Sequence, residues 1–236
     1  MRRSYLLFVV IMLAAVAYAQ TGPAPITASA VWQPGDDFLT KAHAACGQVS
    51  APQKFANCVI GQMPAAGAPP DAVTFSRELF KETGGEFGIM ARFHKVGPVD
   101  IAWIQYPLRS TYGLLLVNGK PRILNVEDVK QLDQKDMQQS FQFQDVLNQF
   151  PKAQLFPGDR KGHAWPNSET GSNGGLQFII GYPLRNGCDT CAHAGDALFT
   201  WNFSADGRFV GTNFLGMTPA PLGHPSAGPA QQPPQQ

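Results

Sequence analysis

In Leu176-Gln177-Phe178-Ile179-Ile180-Gly181-Tyr182-Pro183-Leu184, the residues Leu176, Phe178, Ile180 and Tyr182 occupy alternate positions. That is the period of a strand with one face in a core. The pattern returns downstream, where Ala197, Phe199, Trp201 and Phe203 alternate against Leu198, Thr200 and Asn202. Asp206-Gly207 supplies a turn, and 209–215 reads as the returning strand. The stretch 175–215 therefore predicts a strand over 175–184, a cysteine-bearing loop over 185–196, and a strand–turn–strand over 197–215.

Upstream, helical spacing dominates. Phe38, Ala42, Ala45 and Val49 predict a first helix capped by Asp36 or Asp37 and stopped at Gly47. Phe55, Cys58, Val59 and Met63 predict a second, with Ser50 as its cap and Pro52 in its first turn. The two form a helical hairpin. A third helix is predicted over 72–82, capped by Asp71 and ended by Gly84-Gly85. Strands follow over 88–94 and 99–108. A hairpin over 112–126 turns on Asn118-Gly119, the signal for a type I′ turn, and Pro121 just beyond it suggests a sheet edge. Asn125 predicts a helix beginning Val126-Glu127-Asp128. Phe143, Val146, Leu147 and Phe150 predict another, ending before Pro151. A short strand is expected at 153–156 and a long polar loop at 157–174.

Tyr106-Pro107-Leu108-Arg109 recurs as Tyr182-Pro183-Leu184-Arg185. Each copy follows an amphipathic helix, ends an apolar strand and precedes a glycine-turn hairpin. The expectation is an α+β fold: an N-terminal helical hairpin, then two repeat-like units, about 71–135 and 136–218, building a helix-covered antiparallel sheet. The turn glycine follows the repeated arginine by ten positions in the first copy and by twenty-two in the second. The excess falls on 186–197, and loops added to a rigid scaffold often carry function.

The ends carry an address. Arg2 and Arg3, the apolar run 5–17 and Ala17-Tyr18-Ala19 predict a secretory signal peptide over 1–19. The run is shorter than the roughly 20 residues a membrane span needs, so an exported chain, periplasmic or secreted, without a membrane span is expected. Residues 20–35 read as a proline-rich linker, 36–218 as a single domain, and 219–236 as a disordered Pro/Gln tail. A net charge of +1 argues against a nucleic-acid surface. Four cysteines in an exported chain suggest two disulfides, most simply Cys46–Cys58 and Cys188–Cys191.

No nucleophile elbow, P-loop, zinc-binding His-Glu-x-x-His or dinucleotide fingerprint is present, and no cofactor is expected. Candidate binding residues fall in three groups. Asp189, His193 and Asp196 lie in the cysteine loop. Arg109 and Arg185 are equivalent in the repeat and could face one shared ligand. Asp159, Arg160 and His163 form a polar cluster that suits an anion. The leading expectation is a non-catalytic binding module whose pinned loop, 186–197, engages another exported protein or a small anionic ligand. One alternative is thiol–disulfide or metal chemistry centred on Cys188, Cys191 and His193. The other is a structural, envelope-associated role.

Overall fold

A computed structural model describes residues 23–47, 51–158, 165–171 and 174–220. The predicted signal peptide, the Ser50 cap, the cluster Asp159, Arg160 and His163, and nearly all of the predicted tail lie outside the described residues.

The architecture is α+β, with two antiparallel sheets. Helices α1 (Phe38–Cys46), α2 (Pro52–Gln62) and α3 (Pro70–Glu82) precede the first sheet. That sheet is a four-stranded meander of β1 (Ile89–His94), β2 (Asp100–Tyr106), β3 (Thr111–Val117) and β4 (Ile123–Asn125). Helices α4 (Lys135–Gln139) and α5 (Phe141–Gln149) lead to the second sheet. There β5 (Ala153–Leu155) and β6 (Asn167–Thr170) pair with successive stretches of β7 (Leu176–Asn186). Strands β8 (His193–Phe203) and β9 (Phe209–Pro219) complete it.

The side-chain periods explain the layering. Strand β2 is buried on both faces. Ala102, Ile104 and Tyr106 pack with Phe75 and Leu79 of α3, whereas Ile101 and Trp103 join Phe178, Tyr182, Phe199 and Trp201 of the second sheet. Strand β7 alternates buried and half-buried positions, as its sequence predicts. The order is therefore helices, first sheet, shared core, second sheet. Helices α1 and α2 form the expected hairpin, and Cys46–Cys58 joins them.

Several local expectations are corrected. Within 23–35 the chain is packed on the fold: Ile26, Ala30 and Trp32 are buried. Asn118 ties it down, its Oδ1 accepting the Ile26 N–H at 2.7 Å and its Nδ2 donating to the Ile26 carbonyl at 2.8 Å and to Asp100 at 2.8 Å. The turn at Asn118 is not type I′, because Asn118 (φ 68°) takes the left-handed conformation and Gly119 does not. The Asn118 N–H instead closes on the Arg122 carbonyl at 2.9 Å. Helix α2 starts behind Ala51, and α3 behind Pro69; Asp71 lies in the first turn of α3 and accepts a hydrogen bond from Ser29. The helix expected at Val126 is a turn followed by a short 3-10 segment, Val129–Gln131. Val126 is held in the core and the Glu127 carboxylate accepts the Leu114 N–H, so tertiary contacts overrode the capping signal. The long loop contains β6.

The largest correction concerns 186–197. Half of it is strand, because β7 and β8 run 11 residues each against 7 in β2 and β3. What remains is the compact turn 187–192, bridged by Cys188–Cys191 and docked on β5 through Gln154 Nε2 to the Gly187 carbonyl at 3.2 Å.

The two glycine turns touch one another. The Lys120 N–H donates to the Gly207 carbonyl at 2.8 Å, and the Phe209 N–H to the Lys120 carbonyl at 2.9 Å. A Cβ on Gly119 would lie 2.9 Å from that Gly207 oxygen, so glycine permits the approach. Lys120 also pairs with Asp206, whose carboxyl is pulled down to about 2, first by the Ser204 hydroxyl and then by Lys120.

The two disulfides close loops of different size, with separations of 12 and 3 residues. Loop-closure entropy assigns about 3 kcal/mol to Cys46–Cys58 and under about 2 kcal/mol to Cys188–Cys191. Urea unfolding of the two double Cys→Ser variants should reproduce that ranking; equal losses would contradict it.

Candidate binding cleft between the two strand hairpins

A cleft of ≈ 600 Å³ opens where the β2–β3 turn and the β7–β8 turn meet. From the first sheet it receives Tyr106, Arg109, Thr111, Tyr112 and Gly113. From the second it receives Arg185 and, on the disulfide-bridged turn, Asp189 and Thr190. Glu86, Asn125, Glu127, Asp128, Pro157 and Gly158 complete the wall.

Tyr106 is the buried anchor of the first wall. Its ring sits between two glycines: a Cβ on Gly113 would lie 2.7 Å from Cε2, and one on Gly88 3.1 Å from Cε1. Arg109 lies over the ring at 4.7 Å. Its guanidinium is held in turn by Glu86, Nη1 to Oε1 at 3.1 Å and Nη2 to Oε2 at 3.1 Å. Burial, and after it the Glu86 carboxylate, push the Tyr106 phenol well above its usual range, against the opposing effect of Arg109. Tyr106 thus offers the cleft a protonated hydroxyl.

Arg185 anchors the opposite wall near the end of β7. Its Nε is 3.7 Å from Asp189 Oδ1, and its Nη1 donates to the Cys191 carbonyl at 3.4 Å. The Cys191 N–H closes the turn on the Cys188 carbonyl at 3.1 Å, and the Asn186 N–H pairs with the Ala192 carbonyl at 3.0 Å. Asp189 and Thr190 are therefore presented from a backbone that is bridged, hydrogen-bonded and docked on a strand.

The sequence candidates separate cleanly. Arg109, Arg185 and Asp189 converge on one cleft. His193 and Asp196 do not join them; they pair with each other at 3.2 Å on the exposed start of β8. Cys188 and Cys191 are joined, so neither sulfur is a free thiolate in this form. Among the described residues no group of three His, Cys, Asp or Glu could hold a metal ion. Among them, too, no helix is long and apolar enough to cross a membrane.

Sequence reasoning missed Glu86, Tyr112, Asn125, Glu127 and Thr190. Tyr106 is visible in the sequence as the first residue of the repeated tetrapeptide, which with the cysteine loop pointed here. Compared with family models, curated proteins and solved structures, the chain has no match.

Proposed function

We propose that this is an exported, non-catalytic binding module that takes a small polar ligand in the cleft between Tyr106 and the Cys188–Cys191 turn. The observation that carries the reading is the convergence of both repeated arginines and the bridged turn on one cavity of ≈ 600 Å³. That volume lies within the usual range for small-molecule sites. The walls are pre-organised, one by the glycine-cradled Tyr106 ring and the other by the bridged turn. Pre-organised walls lose little entropy when a ligand docks. The two disulfides suit an oxidising compartment, in keeping with the signal-like N-terminus.

Thr190 is exposed on the rim, so Thr190→Trp should fill the cleft without disturbing the core. Screening a polar fragment set by ligand-observed NMR should yield binders for the wild type that Thr190→Trp loses. Binders that survive in Thr190→Trp would place recognition elsewhere and overturn the cleft reading.

A further inference from the structure

Resting on that cleft reading, we propose that Arg185 anchors a carboxylate of the ligand, and that Asp189 occupies its place as a displaceable internal stand-in. Arginine is suited to carboxylates because its donors form a planar fork that two oxygens can meet at once. The two cleft arginines differ in how far that fork is satisfied. Arg109 gives both terminal nitrogens to Glu86. The Nε of Arg185 is buried and has no hydrogen-bond partner. Asp189 at 3.7 Å is beyond hydrogen-bonding reach, and the bond to the Cys191 carbonyl is long at 3.4 Å. A guanidinium whose Nε is buried beside so weak a partner gains more from a well-placed carboxylate than a fully solvated one does.

Asp189 has the properties of an internal competitor. Its side chain is 75 % exposed against 28 % for Arg185, so it leaves for solvent at little cost. The bridged turn keeps it beside the guanidinium, at ion-pair but not hydrogen-bonding distance. Other cleft carboxylates already have partners: Glu86 holds Arg109, Glu127 Oε1 accepts the Leu114 N–H, and Asp128 accepts from the Lys130 N–H and Gln131 Nε2.

The charge of the lining narrows the anion. Four carboxylates and two arginines face the cleft. With carboxylates in excess, a phosphate dianion is repelled more strongly than one carboxylate on an otherwise uncharged, polar body. The hydroxyls of Tyr106, Thr111 and Thr190 suit such a body. A hydroxy acid and a free peptide C-terminus share this chemistry.

The test follows the Arg185 Nε–H resonance by NMR. Probes are lactate against lactamide, gluconate against sorbitol, acetyl-Gly-Gly with a free against an amidated C-terminus, and inorganic phosphate. Carboxylates should shift the Nε–H signal and bind at least about tenfold more tightly than their neutral partners, with phosphate weaker. The hydroxy-acid and peptide arms identify the source. Arg185→Gln should weaken carboxylate binding roughly 10–100-fold. Asp189→Asn should tighten it a few-fold. Acids and neutral partners that bind equally at the Gly113 and Thr190 amides would overturn the carboxylate anchor and leave the cleft standing. Weaker carboxylate binding by Asp189→Asn would also overturn it. If no probe shifts a cleft amide, both readings fall.

Discussion

Tyr182→Phe should cost about 2–4 kcal/mol of folding stability, because one hydroxyl serves two buried partners. The Tyr182 Oη donates to the Val126 carbonyl at 2.8 Å and accepts from Trp201 Nε1 at 2.8 Å. Both Tyr182 and Trp201 are fully buried in the core shared by the two sheets. Removing the oxygen leaves a carbonyl and an indole N–H in a region water does not enter, each at roughly 1–3 kcal/mol. The same bond carries the Val126 turn, and so the position of Glu127 in the cleft. For a domain of this size the change is a fall in Tm of about 5–15 °C. Tyr112→Phe removes a hydroxyl from a side chain that is exposed at the cleft and should stay within about 0.5 kcal/mol of the wild type. Calorimetry of both variants checks the contrast; equal losses would mean that the buried hydroxyl adds nothing.

Gly113→Ala should cost roughly 1–3 kcal/mol and lower ligand affinity about tenfold. The added methyl meets the Tyr106 ring edge at 2.7 Å. On the opposite edge of the ring lies Gly88, where a Cβ would come within 3.1 Å of Cε1. Tyr106 must therefore tilt, and Arg109, stacked on it, moves too. Gly97→Ala is the control: its Cβ would meet nothing within 4 Å, and alanine there should be neutral or slightly stabilising. Urea unfolding gives the stability difference and titration with a bound fragment gives the affinity. Unchanged affinity in a folded Gly113→Ala protein would remove Tyr106 from the binding surface.

How much of this was legible in the chain follows from how local each signal is. The strand at Leu176–Tyr182 was readable because one face of β7 meets a core and the other does not, which leaves an alternating trace. Strand β2 is buried on both faces and left only an apolar run. The helical hairpin and both disulfides were readable from spacing and cysteine arithmetic. The cysteine segment was misjudged as loop over 186–197 because Ala192-His193-Ala194-Gly195-Asp196 has little strand propensity. His193, Gly195 and Asp196 pair because the length of β7 offers them Arg185, Leu184 and Pro183 as partners, a context that propensity does not contain. The N-terminal strap was missed for a similar reason. Its prolines advertise a linker, while Ile26 and Trp32 find their cavities only once α3 and β1 are in place.

The cleft was half legible. The repeated tetrapeptide pointed to Arg109 and Arg185 as partners, and they do line one cavity. Nothing local in the sequence relates Glu86 to Arg109, which meet through the β1–β2 register, or Thr190 to Tyr106, which line one cavity only because the two sheets pack together. His193 and Asp196 were singled out by nearness to the cysteines, yet strand alternation and the β8 register place them outside the cleft.

The most direct test of the account is amide chemical-shift mapping of the intact, disulfide-bonded protein against a polar fragment set of organic acids, amides and sugars. Saturable shifts are expected at Gly113, Asn125, Arg185 and Thr190, with the outer face of the second sheet at Ile179, Leu198 and Thr200 unmoved. Saturable shifts on that outer face, or none at the cleft, would contradict it.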